Sequence, residues 1–218
     1  MTTPGFPAGT LDEEGMPRWL AEIQNDNLVH TMWVVRGLEP AAALPLLDTD
    51  PEEIRPCVLP ATKNPDDERS LAAIALGLDL RQTVIVAGRV GDWTFVFEDS
   101  GYGVYVNELP AVVELSRDGQ EAASTTFTIN GDVNLEYAAD GQHLFLESTS
   151  ALDPERAPDR LLPAFAGAGV GCSPWSGEDD LDDYLCLRVL CALAGLALTP
   201  GELRQLPLLA APYDPERY

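Results

Sequence analysis

Residues 84–147 read VIVAGRVGDWTFVFEDSGYGVYVNELPAVVELSRDGQEAASTTFTINGDVNLEYAADGQHLFLE. Trp93, Phe95 and Phe97 alternate with smaller or charged side chains, the period of two that is typical of a strand with one apolar face. Gly91-Asp92, Asn130-Gly131 and Asp140-Gly141 are hairpin signals. The pattern predicts a hairpin of strands 84–90 and 93–98, followed by a three-stranded meander over 121–130, 133–138 and 142–147.

The flanking sequence adds one strand and several helices. Residues 30–36 (HTMWVVR) predict a strand, because their apolar side chains occupy both faces of an extended segment. Helical periodicity predicts helices over 16–24, 39–47, 66–80, 107–117, 158–166, 179–198 and 200–206. Since consecutive strands are linked by two-residue turns, a parallel βαβ fold is excluded. The predicted fold class is α+β: an antiparallel sheet of the hairpin, the meander and the N-terminal strand, covered by helices on one face.

The length of 218 residues fits one domain. We predict a single α+β domain over residues 16–218, with a sheet-rich centre at 84–147 and C-terminal helices at 158–206. Residues 1–15 carry two prolines, three glycines and three consecutive acids. They are predicted to form a mobile N-terminal arm.

The charge is strongly unbalanced, with 36 acidic against 13 basic residues and a net charge of −23. Compositional bias or solubility explains such a surplus, and recruitment of a cationic partner is the functional alternative. The arginines are scattered without a basic stripe, which argues against direct binding of nucleic acid. No apolar run reaches the roughly 18 residues of a membrane span. The N-terminus lacks a signal-peptide pattern, and four cysteines without a CxxC pair suit a reducing compartment, so a cytoplasmic location is predicted.

No catalytic, cofactor or metal motif is recognisable. A G-x-S-x-G sequence is absent, Cys172 has no histidine near it in sequence, and GAGVG at 167–171 lacks the context of a phosphate loop. Cys186 and Cys191 are five residues apart, a spacing that does not place two zinc ligands on one helix face. His143 is interpreted as a hydrogen-bonded strand histidine that shares its face with Phe145. We therefore predict a non-enzymatic protein without cofactor or metal.

An acidic stretch precedes the last long helix and lies close to a tryptophan. Its acids favour a helix N-terminus through the macrodipole, but their number exceeds what one helix needs. A partner-binding patch is the second explanation and an oxygen-ligand metal site the third. The candidate partner-binding residues are Trp175, Glu178, Asp179, Asp180, Asp182 and Asp183.

Part of the chain resembles an actinobacterial family of unknown function. The resemblance is carried by Gly91, Trp93, Thr94, Glu98, Gly101, Leu115-Ser116-Arg117, Gly119, Asn134, Tyr137, Ala139-Asp140-Gly141 and Asp159-Arg160-Leu161-Leu162-Pro163. It implies a shared fold and a bacterial source with a GC-rich genome. It implies no activity, because no functional residue comes with it.

Three functional hypotheses follow. The leading one is an acidic, non-enzymatic protein that binds a cationic protein partner, in the manner of an immunity protein or antitoxin. The alternative is a small-molecule binding or hydrolytic domain with a pocket between the sheet and a covering helix, using carboxylates such as Glu98 or Asp99. The third is a structural subunit of a larger complex, with the N-terminal arm as a tether.

Overall fold

The computed structural model describes residues 3–24, 29–64, 66–79, 82–98, 105–106, 109–128, 130–131, 133–170 and 184–213. Its strands are β1 His30–Arg36, β2 Arg55–Cys57, β3 Thr83–Val90, β4 Trp93–Glu98, β5 Tyr105–Val106, β6 Leu109–Pro110, β7 Glu121–Phe127, β8 Val133–Ala139, β9 Gln142–Ser148 and β10 Leu208–Tyr213. Its α-helices are α1 Pro40–Leu46, α2 Leu71–Leu76, α3 Ala111–Leu115, α4 Leu162–Ala168, α5 Leu185–Ala194 and α6 Pro200–Leu203. Short 3₁₀ helices lie at Arg18–Glu22, Thr149–Ala151 and Pro154–Arg156.

Eight of these strands form one antiparallel sheet in the order β2-β10-β3-β4-β1-β7-β8-β9. The predicted hairpin is β3–β4, the predicted meander is β7–β8–β9, and β1 joins them by pairing with both β4 and β7. The α+β fold class is therefore confirmed. A separate two-stranded pair, β5–β6, precedes α3.

The sequence did not predict β2 or β10. β10 lies between β2 and β3, where Leu208 and Ala210 face one layer and Ala211 the other. A strand covered on both faces is a continuous apolar run, which carries no alternation to distinguish it from a helix. Pro212 pairs with Val84 beyond the end of β2, so its missing N–H leaves the ladder with β2 intact.

Both faces of the sheet are covered, which corrects the expected one-sided covering. Met32 and Val34 of β1 point into a first core, closed by the helices Arg18–Glu22, α2, α4 and α5. Trp33 and Val35 point into a second core, closed by α1 and α3. The alternation along β1 thus supplies two apolar layers at once. The predicted aromatic face of β4 packs in the first core, where Phe95 lies 5.2 Å from Trp19 between ring centroids.

Most predicted helices are present but shorter. Helix α2 begins after Ser70, whose Oγ accepts a hydrogen bond from the Ala73 N–H at 3.2 Å, and ends at Gly77 in the left-handed region. Gly195, also left-handed, ends α5, so the helix stops short of the predicted Leu198. Helix ends are set by these local caps more than by apolar periodicity.

The described part of the predicted arm, residues 3–15, lies against the C-terminal helices. The Gly5 N–H donates to the Gly167 carbonyl of α4 at 2.8 Å. Phe6 is buried in the first core, and Arg188 of α5 donates from Nη1 to the Gly15 carbonyl at 3.2 Å. The segment is therefore anchored at Gly5, Phe6 and Gly15, and its mobility stays a prediction.

Candidate ligand-binding groove

A groove opens between the sheet and the C-terminal helices. We define this sheet–helix groove by Arg36, Trp93, Glu121, Tyr137 and Arg160. It consists of two adjoining pockets of about 500 and 390 Å³, and both are lined by Glu121 and Arg160. Strand ends form its floor, and apolar side chains of α4 and α5 form one wall of the larger pocket.

Strand register explains why the floor residues meet. Arg36 is the last residue of β1, and it pairs with Trp93 at the start of β4 and with Glu121 at the start of β7. Three neighbouring strands therefore place an arginine, an aromatic ring and a carboxylate side by side. Arg160 joins them from the turn that leads into α4. None of these four residues is close to another in sequence, and only the fold brings them together.

Glu121 is the centre of an ion cluster. Its Oε1 lies 3.6 Å from Arg36 Nη1 and contacts Arg160 Nη1, and its Oε2 accepts a hydrogen bond from the Tyr137 hydroxyl at 3.3 Å. Burial raises the pKa of Tyr137, with Arg36 opposing, so the phenol keeps its donor proton at neutral pH. The Glu121 side chain is only 13% exposed, whereas those of Arg36 and Arg160 are 50% and 64% exposed.

The cluster differs from the other arginine pairs of the described residues. Five arginines outside the groove each pair with a single acid: Arg69 with Asp67, Arg89 with Glu39, Arg117 with Glu114, Arg156 with Glu147, and Arg204 with Glu22. In the groove, two arginines share one half-enclosed carboxylate. Arg36 also lies 4.0 Å from Asp92, an exposed acid that solvent screens. The groove is thus a local concentration of cationic hydrogen-bond donors on an acidic protein.

Each guanidinium carries five N–H donors in a planar fork. A single carboxylate shared by Arg36 and Arg160 engages a minority of these ten, and both side chains are half-exposed or more. The remaining donors match the oxygens of a carboxylate or a phosphate. Chemically, the arrangement can bind an anionic group and offers it the indole of Trp93 and the apolar side of α5 as neighbours.

The candidate partner-binding residues Trp175, Glu178, Asp179, Asp180, Asp182 and Asp183 lie outside the described residues, as does Asp99. Glu98, the other carboxylate expected in a pocket, is fully buried at the far end of β4 from Trp93, beside Thr31 of β1. It lines neither pocket of the groove. The carboxylate between sheet and helices is Glu121, which the sequence did not single out.

The cysteines that the structure describes are part of the first apolar core. Cys57, Cys186 and Cys191 are buried thiols, and burial raises the pKa of Cys57 to about 11. Within the part of the chain that the structure describes, no three His, Cys, Asp or Glu residues group as metal ligands would. No helix in those same ranges is long and apolar enough to cross a membrane.

His143 is a hydrogen-bonded strand histidine, but on the opposite face from the one predicted. A β-bulge between β8 and β9 pairs Tyr137 with Phe145 and the adjacent Ala138 with His143. The bulge therefore turns His143 away from Phe145 and places its Nε2 3.1 Å from Glu136 Oε2. Burial raises the pKa of Glu136, and His143 opposes that effect.

Several residues of the family resemblance hold two turns together beside the smaller pocket, which Gly119 and Asp140 line. Asp140 Oδ1 accepts from the Gly119 N–H at 3.0 Å, and the Gly141 N–H donates to the Ser116 carbonyl and hydroxyl at 3.1 Å each. Asp140 and Gly141 both have positive φ, which the β8–β9 hairpin turn requires. These residues are therefore explained by architecture: they position the Gln120–Glu121 segment that carries the central carboxylate.

Fold and groove together define an α+β protein with an arginine-lined cleft between a sheet and its covering helices. The chain belongs to the family of unknown function DUF6461, whose model matches residues 18–203. The matched region runs from the first 3₁₀ helix through α6 and includes every residue that defines the groove. No curated protein and no solved structure matches the chain.

Proposed function

We propose that this protein is a non-enzymatic ligand-binding protein whose sheet–helix groove takes an anionic ligand. The observation that carries the proposal is the convergence of Arg36 and Arg160 on one carboxylate in a concave site. This is the ligand-binding class expected as an alternative from sequence, with Glu121 in the place given to Glu98.

The cluster suits binding better than catalysis. Glu121 contacts two arginines through Oε1 and accepts a hydrogen bond from a phenol through Oε2, so both of its carboxylate oxygens already have partners. An anion entering the groove meets guanidinium donors that the single carboxylate leaves unused.

A nuclear magnetic resonance titration tests this proposal. Sodium acetate and sodium phosphate are added to ¹⁵N-labelled protein at constant ionic strength, and the Trp93 indole N–H and Arg36 Nε–H signals are followed. We expect saturable shifts with these anions and none with uncharged acetamide. Losing a charge-assisted hydrogen bond costs about 1.5–3 kcal/mol, so R36Q and R160Q are each expected to weaken binding about ten-fold or more.

The matched control is R204Q, which removes the same charge from an arginine that lines neither pocket. Its anion affinity is expected to equal that of the wild type. If R204Q weakened binding as much as R36Q, the effect would come from the overall charge of the protein and not from the groove. If neither anion shifted the groove signals of the wild type, the proposal would be wrong.

The second candidate function is based on the excess of acidic residues. In this proposal the protein acts like an immunity protein or antitoxin and binds a cationic protein through Trp175 and the acids at 178–183. It is favoured by the composition: if each of the 13 basic residues paired with one acid, 23 of the 36 acids (36 − 13) would be left over. A field of this sign accelerates association with basic partners and weakens with salt.

The second candidate is tested by changing Asp179, Asp180, Asp182 and Asp183 to Asn together. A basic partner identified by affinity capture at low salt should dissociate as salt rises and should bind this variant at least about ten-fold more weakly. The control changes Asp12, Glu13 and Glu14 to their amides. Equal affinity of both variants and the wild type would exclude the acidic stretch as the contact.

A further inference from the structure

The Arg160–Glu121 ion pair forms the boundary that the two pockets of the groove share. Both pockets are lined by both residues, and beyond that boundary their linings diverge. The larger pocket continues over Trp93, Pro163 and Leu193, and the smaller one over Tyr137, Leu144 and Pro158. Arg160 therefore lies across the groove from the turn before α4 to the start of β7.

Two properties make this ion pair exchangeable. The Arg160 side chain is 64% exposed, so the Arg160 end is solvated and its attachment to Glu121 is weak in free energy. Glu121 has other partners: it keeps Arg36 and the Tyr137 hydroxyl when Arg160 leaves. When Arg160 leaves, the carboxylate is therefore not left buried without a partner. An unpaired buried charge is what usually makes such a pair costly to break.

From this geometry we infer that Glu121 acts as an internal competitor for the ligand: the ligand's anionic group displaces it from Arg160, opens the boundary and joins the two pockets. This inference rests on the proposed function and specifies its ligand. The anionic group lies between Arg36 and Arg160, and the rest of the molecule extends over Trp93 and the apolar wall from α4 and α5.

The lining of the larger pocket sets the chemical class. Apart from the arginines and Glu121, its walls are the indole of Trp93 and the aliphatic side chains of Pro163, Ala164, Ala192 and Leu193. Such walls favour an apolar body, since each buried methylene or ring edge adds favourable transfer free energy. The ligand class is therefore an organic anion with an aromatic or branched aliphatic body, and a free inorganic anion fills only part of the site.

The test compares four probes by the same titration: acetate, 3-phenylpropanoate, 3-phenylpropanol and phosphate. We expect 3-phenylpropanoate to bind about ten-fold or more tightly than acetate, because the ring adds apolar burial. The alcohol, with the same body and no charge, should not saturate. Equal affinities for acetate and 3-phenylpropanoate would overturn the assigned ligand class while leaving anion binding intact.

The direction in which one substitution, E121Q, changes the ligand affinity tests the displacement itself. E121Q keeps the size of the side chain and an acceptor for Tyr137 but removes the competing charge. We expect it to raise the affinity for 3-phenylpropanoate about two- to five-fold, the range that an exposed ion pair of this kind is worth. A merely orienting role for Glu121 would give the opposite result, a loss of affinity.

E121D, with a shorter charged side chain that reaches Arg160 less well, should lie between the wild type and E121Q. Thermal unfolding and the dispersion of the amide spectrum establish that each variant is folded. Reduced affinity in folded E121Q or E121D would overturn the displacement. Absence of binding by every anion in the wild type would instead remove the proposed function on which it rests, so the two failures are distinguishable.

Discussion

Replacing Gly88 with alanine is expected to lower the free energy of unfolding by about 1–3 kcal/mol, and valine by more. Gly88 lies in the middle of β3, where a Cβ atom would stand 2.6 Å from Phe95 Cζ and 2.7 Å from Leu208 Cδ2. Both neighbours are core side chains of adjacent strands, so neither can move away without disturbing the layer. Gly88 therefore provides the space into which the Phe95 ring packs.

Urea unfolding followed by circular dichroism measures the effect. The control is G201A in α6, where the nearest atom to a new Cβ is Thr199 Oγ1 at 3.9 Å. Alanine favours a helix over glycine, so G201A should be neutral or stabilising. Reducing the ring in a G88A/F95L double variant should recover part of the loss, because the two sites are in contact. A G88A midpoint equal to that of the wild type would contradict the packing described for β3.

Trp19→Ala is expected to cost about 3–5 kcal/mol, the range for removing a large buried aromatic side chain. Trp19 is fully buried in the first core against Phe95, and its Nε1–H donates to the Leu196 carbonyl at 3.1 Å. That bond ties the first 3₁₀ helix to the segment just after α5, the helix whose Leu193 lines the groove. Loss of the indole should therefore loosen the wall of the ligand site as well as the core.

Trp19→Phe separates the two contributions. It keeps most of the apolar contact but leaves a buried carbonyl without its donor, which costs about 1–3 kcal/mol. The comparison is Trp93→Ala, a residue that lines the groove and is partly exposed, where a smaller loss of stability is expected. If Trp19→Ala unfolded at the same urea concentration as Trp93→Ala, Trp19 would not be the central contact of the first core.

The β-rich centre was predictable because its signals are local. Gly91-Asp92 and Asp140-Gly141 fix two hairpins through the positive φ of Gly91, Asp140 and Gly141, and the strand partners follow directly. The Asn130-Gly131 signal gave the correct connection but the wrong length. β7 ends at Phe127, and Phe127 pairs with Val133, so the turn is longer than two residues.

The groove was not predictable in the same way. Arg36, Trp93 and Glu121 meet only because β1 inserts between β4 and β7, a pairing between residues tens of positions apart. A single sequence carries no signal for that register. The sequence marks Arg160 only through the family resemblance. It points to Glu98 rather than Glu121, but the alternation along β4 turns Glu98 into the second core.

The place of β10 in the sheet has a consequence for how the chain folds. β3 has its hairpin partner β4 three residues away in sequence, but its other neighbour is supplied by residues 208–213, more than a hundred positions later. Until that strand arrives, Ile85 and Ala87 present unpaired backbone at an open, apolar edge. Because β2 pairs with β10 at the edge of the sheet, the sheet cannot assemble strictly in chain order, and pairings this far apart in sequence raise the contact order, which slows folding. During that interval the incomplete sheet is at its most vulnerable to pairing with another chain, and a molecular chaperone that covers the β3 edge would shield it.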